Sequence, residues 1–160
     1  MKKTLLRSIL GAAVAALILA GTVYAGEAAQ SKSIHNRIVG VWDVQVAVLD
    51  CSTGNQIAGF SGLHKYELGG TAQIVPSTNP AALSAHVGTW RHVKKNQYRL
   101  DFKMFRFDPS GNNVGWTVIK NDIVINDGAT QYAGSGQAEV FDPNGNIVGK
   151  SCPTFTGTRF

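Results

Sequence analysis

The chain lacks the short motifs that announce common chemistries. It has no Gly-x-Ser-x-Gly elbow, no phosphate-binding loop, no dinucleotide fingerprint and no His-Glu-x-x-His. No catalytic residue and no cofactor is therefore expected. Cysteine is scarce: Cys51 and Cys152 are the two present, and they make no Cys-x-x-Cys spacing. That excludes a cysteine-built zinc site and a dithiol redox motif. The histidines, His35, His64, His86 and His92, form no His-x-His pair, so no metal site is expected. Charge is sparse as well, at 16% of residues.

What is present begins with a leader. Lys2, Lys3 and Arg7 precede an apolar stretch from Ile9 to Ala20, and Val23-Tyr24-Ala25 follows. This is the pattern of a secretory signal cut after about Ala25. The apolar stretch is short for a membrane span of ~20 residues, and no integral membrane segment is expected in the mature chain. The leader holds three of the 15 basic residues and none of the 10 acidic ones, so the mature net charge is +2. A dedicated nucleic-acid binder would carry a stronger basic excess, and no nucleic-acid partner is expected. Export to the periplasm or the medium makes a Cys51–Cys152 disulfide the default.

Three regions follow: a signal peptide over 1–25, a flexible lead-in over 26–39, and a β domain over 40–160. Ile34 and Ile38 in the lead-in suit either a short helical turn or an extended entry. Gly40 to Asp50 opens the β domain, with Trp42, Val44, Val46 and Val48 on one face. Seven further strands are expected over 56–68, 71–75, 86–93, 97–107, 114–125, 131–141 and 147–159. Glycine and Asn/Asp-rich turns separate most of them. Phe107-Asp108-Pro109-Ser110-Gly111-Asn112 and Phe141-Asp142-Pro143-Asn144-Gly145-Asn146 repeat one turn chemistry, expected at one end of the fold. A kink near Asn121 and a shift of pattern at Phe105 are also expected. Eight strands in sequence predict an all-β, closed, antiparallel up-and-down barrel, because closure removes exposed edges.

Gly40-Val41-Trp42, with Arg159 near the end of the last strand, resembles the lipocalins and the wider calycin group. That resemblance implies that Arg159 stacks across Trp42 and closes the barrel. Gly88-Thr89-Trp90 is a second such triplet, of a kind that avidin-like members also use. The strand pattern equally resembles the allene-oxide-cyclase-type barrels, and the residues do not separate the two.

An eight-stranded barrel is either filled by side chains or holds one small ligand. The row Tyr98, Leu100, Phe102 and Met104 fits both. If a cavity exists, Phe60, His64, Tyr66, Phe102, Met104 and Trp116 are its expected lining, with His64 as the polar group among them. The loop from Pro76 to Ser84 is the expected rim or lid. Three functions remain open: a carrier or binding module for a small, mainly apolar molecule, an isomerase or cyclase on the same architecture, and a filled barrel working through its outer face. On that face Arg91, Lys94, Lys95, Arg99, Lys103 and Arg106 form a basic run.

Overall fold

The structure, a computed structural model, describes residues 33–160. The expected leader, its expected cleavage point and the first half of the lead-in, residues 26–32, lie outside the described residues. A single 3₁₀ turn, Ile34–Asn36, precedes eight strands: β1 (Gly40–Leu49), β2 (Gln56–Tyr66), β3 (Thr71–Pro76), β4 (His86–Lys94), β5 (Gln97–Phe107), β6 (Asn113–Ile125), β7 (Gln131–Phe141) and β8 (Ile147–Arg159). Each pairs antiparallel with the next, and β8 returns to β1, so the sheet is a closed barrel in sequence order. Apolar–polar alternation along the strands sends one parity inward and leaves the other to solvent.

The two ends differ. The lower end is capped by the 3₁₀ turn and the turn residues after it, which include Ile38, a fully buried side chain. Above Ile38 lies Trp42, also fully buried, whose Nε1 donates to Ile38 O at 2.8 Å. The Arg159 guanidinium sits 4.2 Å from the Trp42 ring centroid. It donates to the carbonyls of Ala129, Val39 and Arg37 at 2.7, 3.0 and 2.6 Å. Gly40 makes this possible. Its φ of +136° disfavours other residues, and a Cβ there would strike the guanidinium.

The upper end is the mouth, ringed by the β1–β2, β3–β4, β5–β6 and β7–β8 connections. The repeated turns both lie here. Asp108 accepts from the amides of Ser110 and Asn112, both at 2.9 Å, and Asp142 does the same from Asn144 and Asn146 at 2.9 and 2.8 Å. These bonds, with those from the Asn112 and Asn146 side chains, hold both carboxyls below the usual range. The Cys51–Cys152 disulfide ties the first hairpin to β8 at the same end.

Two local expectations change and a third is located. Strand β2 stops at Tyr66, so Leu68 lies in the following turn and is 69% exposed. No register shift occurs at Asn121; pairing runs through it on both sides, and the residue faces inward. Phe105 lies on the outward, polar parity of β5, as the sequence places it, and the bulge that accompanies the shift of pattern falls between Arg106 and Phe107.

Candidate functional site

The barrel is filled below and hollow above. In the lower half the inward side chains of Trp42, Tyr66, Trp90, Tyr98, Leu100, Ile123, Ile125 and Tyr132 are buried against one another. Glycines admit the largest rings. Gly157 faces Tyr132 and Gly134 faces Phe155, and a Cβ at either glycine would collide with the opposite ring. In the upper half the inward side chains do not fill the barrel. A cavity of about 210 Å³ remains between Val46, Phe60, Phe102, Met104, Ile119 and Ala138, among others. The row over β5 thus does both jobs: Tyr98 and Leu100 fill, while Phe102 and Met104 form wall. Pro76, Thr78 and Leu83 bring the β3–β4 connection to the cavity, as expected of a rim. That connection is pinned to β5 by a bridge between Leu83 and Arg106 and by the bond from Ser84 N to Phe105 O at 3.0 Å.

Of the lining residues expected from sequence, Phe60, His64, Phe102 and Met104 border the cavity. Tyr66 lies one rung lower, 1% exposed, with its hydroxyl 3.3 Å from His64 Nδ1. Trp116 lies elsewhere. It stands on the outer face, stacked on Phe141 at 5.5 Å and covered by the Lys103 ammonium at 4.5 Å. The inward residues of β6 here are its neighbours Gly115 and Thr117, both buried. Lys103 also sits over Phe105, and Arg99 is paired with Asp122, so part of the basic run is engaged on the barrel's own surface.

Sequence reasoning missed the cavity's other polar groups. His86 is 3% exposed and stacks on Phe102 with an interplanar angle of 14°; neither of its ring nitrogens has a hydrogen-bond partner. Asn121, also 3% exposed, lies over Gly136, where a Cβ would meet its amide oxygen, and that oxygen is unpartnered. Thr78 Oγ1 is unpartnered too. Among the described residues, four of the five buried side-chain polar atoms without partners thus belong to the cavity wall; the fifth is on Asp101. One signal could have found Asn121: Ile119, Asn121, Ile123 and Ile125 share a parity, so the amide interrupts an apolar row.

The electrostatics are those of a buried, uncharged site. Burial pushes His64 from 6.5 down to about 3, with repulsion from His86 a smaller cause, and burial pushes His86 down to about 4. Both rings are neutral at neutral pH. Burial raises the Tyr66 and Tyr132 hydroxyls above the ordinary phenol range, so both stay protonated. Among the described residues no Lys, Arg, Asp or Glu lines the cavity, and no three His, Cys, Asp or Glu converge as a metal site would require. No described helix is long and apolar enough to cross a membrane. A groove of about 490 Å³ on the lower outer surface of β6, β7 and β8 is shallower and holds none of the unpartnered polar atoms.

No protein-family model matches the chain, and a search of curated proteins returns no match. Among solved structures the chain is similar to a redesigned β barrel, at 15% identity and a TM-score of 0.50, over 78% of this chain and 93% of that one. The likeness is one of fold: an all-β, closed, eight-stranded antiparallel barrel.

Proposed function

We propose that the chain is an exported, calycin-like carrier or binding module for a small, mainly apolar molecule, held in the upper cavity and non-catalytic. The observation that carries this reading is the cavity itself, an apolar hollow whose lining residues His86, Thr78 and Asn121 carry unpartnered polar atoms. Buried polar groups without partners are costly, and a guest that bonds them removes the cost. Apolar walls with a few placed polar groups are what small-molecule sites present. The leader pattern and the disulfide support export. The filled-barrel reading loses its premise in the upper half of the interior.

A second reading, an isomerase or cyclase on an allene-oxide-cyclase-like barrel, is favoured by one observation: a neutral histidine in an apolar site, oriented by two tyrosine hydroxyls. The two readings part on turnover, since a carrier returns its guest unchanged.

The test uses protein secreted by a host and examined by native mass spectrometry, then by ligand-observed NMR with medium-chain apolar probes. Ala138 is 5% exposed and lines the cavity, so Ala138→Phe should fill it and abolish binding while the β-sheet spectrum persists. Failure of every probe to bind the unaltered protein, or undiminished binding by the folded variant, would defeat the proposal.

A further inference from the structure

One buried polar group of the cavity wall, His64, has its proton position set by its neighbours. His64 Nδ1 lies 3.1 Å from Tyr132 Oη and 3.3 Å from Tyr66 Oη, and the two hydroxyl oxygens are 3.5 Å apart. Both tyrosines are almost wholly buried, at 1% and 3% exposure. Each hydroxyl carries one proton that needs an acceptor. Either order of the relay that places both protons ends on His64 Nδ1. The order with the shorter last step has Tyr66 O–H donating to Tyr132 Oη and Tyr132 O–H donating to His64 Nδ1. The imidazole proton is then on Nε2. That N–H is the donor His64 has left, on a ring that forms part of the cavity wall.

The remaining inventory is uncharged. His86 offers one donor and one acceptor nitrogen, both unpartnered; Thr78 Oγ1 and Asn121 Oδ1 are unpartnered as well. A carboxylate entering this space would give up its hydration with no Lys or Arg to receive it. A hydroxyl or carbonyl oxygen loses far less, and can accept from a neutral N–H.

Building on the small-ligand reading above, we propose that the cavity selects an uncharged apolar molecule bearing a hydroxyl or carbonyl oxygen. That oxygen accepts from His64 Nε2–H, and the matching carboxylate is disfavoured. Tyr132 and Tyr66 are the positioning residues that fix the tautomer, and His86 is the second polar contact.

The experiment compares 1-octanol, octanal and octanoate by calorimetry on the whole secreted protein at about pH 7.5, well above both histidine values. The alcohol or the aldehyde should bind at least about tenfold more tightly than the acid. A long-range proton–nitrogen spectrum should show His64 as the Nε2–H tautomer. Replacing Tyr66 and Tyr132 together with Phe should release it into a mixture, since Tyr66 Oη, 3.3 Å from Nδ1, can still hold it in Tyr132→Phe alone. Neither the ligand comparison nor the wild-type spectrum needs a variant to fold. Octanoate binding as tightly as octanol, or a His64 proton on Nδ1, would overturn the inference and leave the carrier reading intact. Failure of all three probes, together with failure of the wider panel, would remove both.

Discussion

Acid should destabilise this barrel through two interior histidines. His64 and His86 are 4% and 3% exposed, and their folded values lie at about 3 and about 4. In the unfolded chain both titrate near 6.5. Below about 6.5 the unfolded chain therefore binds protons that the folded barrel refuses. Stability is complete above that value and declines as pH falls toward the folded values. At about pH 5 each ring costs roughly 2 kcal/mol, and the pair about 4 kcal/mol. Against a typical stability of ~5–15 kcal/mol that is a large loss. The carboxylates do not imitate it. Asp50, Glu67, Asp108 and Asp142 are all held low by local hydrogen bonds. Their contribution is present above the unfolded carboxylate values and is lost only as pH falls further, below about 4.5 for Glu67 and about 3.8 for the aspartates. Urea unfolding followed by circular dichroism, between about pH 7.5 and about pH 5, isolates the histidines. The midpoint should fall steeply, and His86→Phe should remove about half of the slope. A midpoint that does not move across this window would mean that the rings are wet or charged in the folded state. The picture of a buried, uncharged cavity would then be wrong.

Two further outcomes concern the seam between β1 and β8. Arg159→Met removes three side-chain-to-carbonyl bonds and the contact with Trp42, and should cost about 3 kcal/mol or more in chemical denaturation. Arg159→Lys should recover less than half, because an ammonium cannot fork to three carbonyls; a loss below about 1 kcal/mol for the methionine variant would refute the closing role. Replacing both cysteines with serine opens a loop spanning 101 residues, worth up to ~4–5 kcal/mol in the chain-entropy account. Calorimetry should show a lower melting temperature with the β spectrum intact, and an unchanged melting temperature would show that the bridge does not constrain the unfolded chain.

The architecture was legible because alternation and turn chemistry are local. β5, β7 and β8 run over the residues that sequence reading assigns to them, and the two Asp-Pro turns do share one end. The interior was legible only by halves. Whether an inward position is filler or wall depends on what faces it from strands far away in sequence. Tyr132 and Phe155 fill the floor because Gly157 and Gly134 make room for them, and no local pattern announces those pairings. Trp116 shows how parity can mislead. Near the mouth the inward residues of β6 are Gly115 and Thr117, while Val114, Trp116 and Val118 form the apolar row. An apolar row normally marks the inner face. Here the inner face is small and polar because it borders a hollow. His86 was missed for a related reason: in sequence it marks the end of a loop, and only barrel closure buries it.

The hollow and the cross-link belong to the same end of the molecule, and their energies are comparable. At ~24 cal/mol per Å³, an unfilled cavity of about 210 Å³ costs about 5 kcal/mol relative to a packed interior. The disulfide, at the rim of that cavity, offsets about 4–5 kcal/mol by constraining the unfolded chain. The lower half needs no such compensation, since it is packed with aromatic rings and closed by Arg159 over Trp42. A barrel selected for stability alone would replace Ala138, Ser151 and Thr117 with larger apolar residues and fill the space. Small and unpartnered polar groups remain there instead, at an energetic cost met by a cross-link at the mouth. That distribution of cost is the physical ground for proposing a guest in the upper cavity, while the packed lower half holds the fold.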